Sequence, residues 1–318
     1  MCKKFNFLWF ILISSLILIP HIVRSEYYQH LLVLSGIYIL LALGLNLIIG
    51  YTGQVSLAHA AFYGIGAYTA AILSVRFDSP FWFNIFAAGF LAGLFGILLG
   101  LPTIRLAGHY LGIATLTFGI IIEQIFVNWI SLTRGPMGIT GVKPPRINFL
   151  NFEFSKKIHY YYLILTIILT VLLLFRRLIR YRTGRAFAAI RENEISARAM
   201  GINTTYYKVL AFTIAAVIAG VAGCFFAHYI LFVSPDSFAF LESISILALT
   251  IIGGTGNILG SLIGGLFLTI MPEFLRALEE AREVIYGALL LLIIIFMPKG
   301  LSGFILGLKH RYTPNKNV

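Results

Sequence analysis

The sequence predicts an all-α, polytopic membrane protein of about ten transmembrane or partly re-entrant helices, and three observations carry that prediction. Hydrophobic residues make up 59% of the 318 and charged residues only 11%, against roughly 25% charged in an ordinary soluble domain. So few charges cannot cover a soluble fold of this size. Apolar runs of about 20 residues, the length that crosses a hydrocarbon core as a helix, recur along the whole chain. The 30 glycines supply the small residues that let helices approach closely in lipid. One transmembrane domain over 1–318 is expected, with no heptads, low-complexity tract or separate soluble domain.

Ten crossings are expected, at 5–23, 30–50, 54–75, 82–101, 107–130, 158–175, 207–231, 238–253, 257–272 and 284–298. The first opens on Lys3 and Lys4 like a secretory signal. Pro20-His21-Ile22-Val23-Arg24 offers no small-x-small cleavage site, so an uncleaved helix is expected. The third, eighth and ninth are short or rich in Gly, Ser and Thr, which leaves them open to tilting, breakage or re-entry.

The net charge of +12 would suit nucleic acid if it were spread over a surface. Instead the basic residues sit beside apolar stretches, as topology signals do. The partner they indicate is a lipid bilayer, with no nucleic acid. With the N-terminus inside, one side holds Lys3, Lys4, Arg105, Arg176, Arg177, Arg180, Arg182, Arg185, Arg191, Arg198, Lys208, Lys299, Lys309, Arg311 and Lys316. That is 15 of the 24 Lys and Arg, accompanied by Glu192 and Glu194 alone. Both termini are therefore expected in the cytoplasm, with 176–206 as a cytoplasmic loop and 131–157 as a periplasmic one. Gly135-Pro136-Met137-Gly138 and Pro144-Pro145 give the outer loop the turn chemistry of an ordered segment.

Two sequence features go beyond topology. Gly50-Tyr51-Thr52-Gly53-Gln54-Val55 is echoed by Gly253-Gly254-Thr255-Gly256-Asn257-Ile258, both on the cytoplasmic side. Either this is a parallel pseudo-repeat or Gly-Thr-Gly turns recur by chance. In the loop 176–206, Thr183 can cap a helix that Gly201 ends, with Phe187, Ile190, Glu194, Ala197 and Met200 on one face. Such a face suits a groove on another protein, and it equally suits lipid headgroups.

The stretch Arg182 to Ile202 resembles the coupling loop of permeases in bacterial branched-chain amino acid ABC transporters. So do Gly44 to Tyr68, Leu132-Thr133 with Gly135 to Ile139, and Gly253 to Ser261. The likeness runs from about residue 30 to 300, in order, and is nearer the longer of the family's two permease types. It implies an importer permease of the inner membrane for branched-chain or related hydrophobic amino acids. It also implies a sister permease, two cytoplasmic ATPase subunits and an external solute-binding protein. Coupling to the ATPases would fall to Arg185, Phe187, Ile190, Arg191, Glu194, Ala197, Met200 and Gly201. Nothing resembles a Gly-x-x-x-x-Gly-Lys-Ser/Thr loop, so no nucleotide or other cofactor is expected on this chain. The family's usual Phe, Gly or Ala, Glu, two apolar residues and Arg is here Phe118-Gly119-Ile120-Ile121-Ile122-Glu123, and Arg134 stands where glycine is common.

For the solute path, a helix over 54–75 would align Gln54, Ala58 and Ala61 on a small face and Ser56, His59 and Tyr63 on a polar one. A polar face is rejected by lipid, so it should point into the bundle; close helix packing is the competing use of the Gly and Ala. Glu123 reads as the one carboxylate well inside a crossing, lining the path, pairing between subunits, or snorkelling. Gly253, Thr255 and Asn257 complete the path candidates. His59, His109 and His228 are expected mainly as packing histidines with satisfied hydrogen bonds, and a proton relay at His59 stays open. No two histidines have metal-ligand spacing, and Cys2 and Cys224 lie too far apart in sequence to argue a disulfide or metal framework. A permease for a sugar, urea or short amide would differ only in solute. A secondary carrier needs embedded charge pairs, and an embedded enzyme needs clustered His, Asp or Glu; neither pattern is seen.

Overall fold

The computed structural model describes residues 20, 25–102, 106, 108–147, 152–154, 156–274, 285, 287–288, 291–292, 295–296 and 300–303. The expected crossing 5–23 lies outside them except for Pro20, and 284–298 is described only at scattered positions.

Helix α1 (Glu26–Asn46) continues through one π-helical turn, Leu47–Tyr51, giving 26 unbroken helical residues. The chain then runs without helix through 53–58 into α2 (His59–Phe77). Next come α3 (Phe81–Gly100) and α4 (His109–Asn128). A four-residue α5 (Ile130–Thr133), a 3-10 turn Gly135–Met137, and strands β1 (Ile139–Thr140), β2 (Arg146–Ile147) and β3 (Phe152–Glu153) lead to α6 (Lys157–Arg180). Then follow α7 (Arg182–Glu192), α8 (Glu194–Ala199) and α9 (Thr204–Ile230). After β4 (Phe232–Val233) and a 3-10 turn Pro235–Phe238 come α10 (Phe240–Gly253) and α11 (Ile258–Phe274). Among the described residues seven segments are long and apolar enough to cross a membrane. Of the three doubtful crossings, the third begins at His59 rather than 54, the eighth holds a 14-residue helix and the ninth a 17-residue one.

Helix α9 is the axis of the bundle because small residues surround it. It buries Ala215, Ala216, Ala219, Gly220, Ala222 and Gly223 on several faces, and a helix apolar all round belongs inside. A Cβ on Gly66 of α2 would overlap the Gly220 backbone, and one on Gly223 would overlap the main chain of Tyr63 and Ala67. Glycine is the residue that permits those crossings. Helix α6 instead buries one stripe, Tyr161, Ile164, Leu165, Ile168, Leu172 and Phe175, at the three-four spacing of a peripheral helix. Helix α4 buries only Leu111, Gly112, Thr115, Ile122 and Phe126, leaving most of its surface open.

The segment 131–157 is ordered at its described positions, as its turn residues predict. β1 pairs antiparallel with β4, Ile139 opposite Val233, and β2 pairs with β3. The Arg76 guanidinium donates to the carbonyls of Ser131 and Leu132. Lys143 pairs with Asp78 at 2.6 Å. His228 contacts the Lys143 carbonyl through Nδ1 at 2.6 Å and Asn84 through Nε2 at 3.1 Å. Asn84 Nδ2 can only donate, so the Nδ1 of His228 carries the proton. His228 is thus the satisfied packing histidine that was expected. His109 is not: it sits exposed at the first position of α4. Arg134 takes φ +63°, a left-handed conformation natural to glycine.

Candidate functional site

Residues 53–58 are the first departure from the expected helix, and with them goes the two-face arrangement of Gln54 and Ser56. Gly53 turns the chain at φ +70°, and the segment is held by α4: the Leu57 amide donates to Thr115 Oγ1 at 3.0 Å, and Val55 and Leu57 lie against Gly112 and Gly119. Helix α2 has no local side-chain cap; its Ala60 amide donates instead to Ser243 Oγ of α10 at 3.1 Å. This non-helical stretch still carries its polar side chains inward. Gln54, Ser56 and His59 are all buried, and the side-chain amide of Gln54, Oγ of Ser56 and both ring nitrogens of His59 make no hydrogen bond. His59 wedges between Gly44 and the Ala215 carbonyl and approaches the Leu41 backbone without closing a bond. It is therefore a packing histidine whose expected bond is missing. Buried polar atoms are paired in the great majority of cases, so a run of unpaired ones marks a place that does more than pack.

One turn further on, Tyr63 meets a carboxylate that sequence reasoning passed over. Glu242 lies in the first turn of α10, close to Tyr63 and in hydrogen-bonding contact with the Tyr38 side chain. Its Oε1 is buried and unpaired. Tyr38 is 12 residues from the start of the 26-residue α1 span and 13 from its end, about 18–20 Å either way at 1.5 Å per residue. Glu242 thus stands at mid-depth, and Glu123 is not the single carboxylate well inside. Glu123 itself is half-buried on α4, one turn from Phe126. Above Glu242, Phe238 fills the bundle, with ring centroids 5.0 Å from Tyr63, 5.8 Å from Phe226 and 6.0 Å from Tyr68. Tyr68 stacks on Phe126 at 4.2 Å, its hydroxyl buried and unpaired.

At the other end, the segment expected to couple breaks in two. Asn193 adopts extended dihedrals and caps α8 through Oδ1 to the Ser196 amide at 2.9 Å, while Thr183 lies inside α7 rather than capping it. Gly201 ends α8 as expected, at φ +82°, with the Ile202 amide on the Ala197 carbonyl and the Gly201 amide on the Arg198 carbonyl. The apolar residues are placed otherwise than a docking face requires. Phe187, Ile190 and Ala197 are buried within the chain itself, Phe187 against Tyr207, and Glu194 turns inward to the buried Lys208 at 2.5 Å. Removing Glu194 would leave that ammonium uncompensated, which costs about 3–5 kcal/mol in buried pairs. Ile195 and Met200 stay 82% and 83% exposed, with Arg185, Glu192 and Gly201 also at the surface.

Beneath α7 the two echoed glycine turns touch. A Cβ on Gly50 would overlap the Gly256 amide. Asn46, buried, holds both turns: Nδ2 donates to the Asn257 carbonyl at 2.9 Å and to Ser261 Oγ at 2.8 Å, and Oδ1 accepts from Gly256 N–H at 2.8 Å. Arg191 crosses over them, donating to the Gly50 carbonyl with Gly53 and Gly256 against its side chain. Gly253, Thr255 and Asn257 therefore form this α7-end turn, Thr255 exposed, and are not brought next to Tyr63 and Glu242. Among the described residues no group of three or more His, Cys, Asp or Glu could hold a metal ion.

The chain matches, over residues 27–295, the family described as branched-chain amino acid transport system permease component. It is 38% identical over 290 residues to the high-affinity branched-chain amino acid transport system permease protein LivM of Escherichia coli K12, covering 84% of this chain and 68% of that protein. To LivH of the same organism, also a permease protein, it is 29% identical over 289 residues, covering 85% and 92%. No solved structure gives a match. With an apolar helical bundle, paired glycine turns and a match over most of its length, the chain belongs to the family of branched-chain amino acid transport permeases, multi-pass membrane proteins and not enzymes.

Proposed function

We propose that this chain is one permease of an ATP-driven importer for branched-chain or related hydrophobic amino acids. It works in a bacterial inner membrane with a sister permease, two cytoplasmic ATPase subunits and a solute-binding protein at the outer face. Both termini and 176–206 are cytoplasmic, and 131–157 is outside. The single observation that best supports this is the α7–α8 segment. It is exposed on one side at Ile195 and Met200 and fixed on the other to both glycine turns through Arg191. Such a segment can receive a push from a partner and pass it to the ends of α1 and α10. The sister permease is assigned to the open surface of α4, which buries few of its residues within the chain.

The test is to purify the tagged chain from its native membrane, identify the co-purifying subunits, and reconstitute them with the binding protein. Leucine, isoleucine or valine uptake that needs ATP is expected. Uptake of a sugar or urea instead would replace the cargo, and uptake without ATPases would make it a secondary carrier. A periplasm-active reporter should work after residue 145 and stay silent after 318; the reverse pattern overturns the topology.

A further inference from the structure

We propose that Glu242, with Tyr38 and Tyr63, holds the α-ammonium group of the solute halfway across the membrane; this rests on the amino-acid reading above. Three observations converge. Glu242 stands at mid-depth, where carboxylates face a cavity or a cationic partner, and among the described residues no Lys, Arg or His forms an ion pair with it. Its Oε1 is buried without a hydrogen-bond partner. An ammonium group offers three donors, matching one unpaired carboxylate oxygen beside two tyrosines near it.

The surroundings suit the rest of such a solute. The side chains about Tyr63 are Phe226, Phe238 and, through Phe238, Tyr68 and Phe126, an apolar and aromatic wall that accepts a hydrocarbon side chain. Unpaired polar atoms flank Tyr63 along the chain, at Gln54, Ser56 and His59 before it and Tyr68 after it. Ser243, next to Glu242, fixes the first turn of α10 to the start of α2. A shaped apolar passage with few placed polar groups is what orients a small solute. Phe238 packs against Tyr63 of α2, Phe126 of α4 and Phe226 of α9.

The experiment uses the full complex in lipid nanodiscs, without the binding protein, so that the permease's own preference is read. Binding of radiolabelled leucine is measured by equilibrium competition against 2-hydroxy-4-methylpentanoate, which replaces the ammonium with a hydroxyl. Wild type should prefer leucine by about tenfold or more, and Glu242→Gln should weaken leucine by a similar factor while leaving the hydroxy acid unchanged. Glu242→Asp should keep part of the preference, and Tyr38→Phe should lower it without abolishing it. Unchanged leucine affinity in Glu242→Gln, or equal binding of both compounds by wild type, overturns the assignment. If Glu242→Gln fails to assemble, Tyr38→Phe decides by the same preference ratio. A complex that imports leucine with its binding protein but shows no direct preference sinks this assignment alone. A complex that imports no amino acid sinks the cargo reading as well.

Discussion

Gly223→Val is expected to leave almost no folded permease in the membrane. The first atom of any side chain at 223 would overlap the Tyr63 carbonyl and the Ala67 amide of α2. Overpacking a core costs about 1–3 kcal/mol when side chains can rotate aside. Here the neighbours are main-chain atoms of a helix, so α2 and α9 must separate along their whole contact. Separation would also pull Gly66 from Gly220 and loosen α3, whose Ala88 and Ala92 lie on Gly220. Against a total stability of about 5–15 kcal/mol, that loss is decisive. Gly89→Ala is the control, since a Cβ there would meet Val221 at 3.4 Å, an ordinary contact. Fluorescence-detected gel filtration of tagged protein in mild detergent reads both. A monodisperse Gly223→Val peak at wild-type height would show that the α2–α9 crossing can open.

Hydrophobic length fixes where a chain enters and leaves lipid, so the edges of α1, α3 and α4 fall within a few residues of expectation, and α6 runs on through Arg176, Arg177 and Arg180 because long basic side chains extend the helix past the apolar core. Periodicity put Phe187, Ile190, Glu194, Ala197 and Met200 on one face, and of these Phe187, Ile190 and Ala197 are buried while Met200 is exposed. It could not name what they touch, because an amphipathic stripe looks the same against a partner, a headgroup layer or the chain's own α9. The break at 53–58 escaped for a related reason. Its Val, Leu and Ala are as apolar as a helix, and the groups that hold it open, Thr115 and Ser243, are 58 and 183 residues away from their partners. Glu242 lies four residues inside the expected edge of the eighth crossing at 238, too near that edge for hydropathy alone to place it at depth. Only the 3-10 turn Pro235–Phe238, by entering the bundle ahead of α10, carries it to mid-depth. Asn46 gave no signal at all: its amide bonds join positions 211 and 215 residues apart.

Those long-range bonds set the second large expectation, that Arg191→Ala uncouples uptake from ATP hydrolysis. Arg191 is the side chain through which α7 touches both glycine turns, donating to Gly50 and lying over Gly53 and Gly256. The turns in turn are pinned to each other by Asn46, so a displacement of α7 reaches the ends of α1 and α10 together. Loss of a charged donor to a carbonyl forfeits about 1.5–3 kcal/mol at most, less where water can replace it. The bundle should therefore survive, with its melting temperature little changed. Transmission should not survive, because alanine leaves α7 packed through Phe187 and Ile190 but free to slide over the turns. Uptake in reconstituted vesicles should fall about tenfold or more, while subunit association and basal ATP hydrolysis persist. Arg191→Lys should restore only part, since a hydrated, flexible ammonium replaces the planar guanidinium whose Nη1 donates to Gly50 and lies against Gly256. Two results would count against the latch. Wild-type uptake in Arg191→Ala would make the contact incidental, and loss of the ATPase subunits on purification would make Arg191 a docking residue instead.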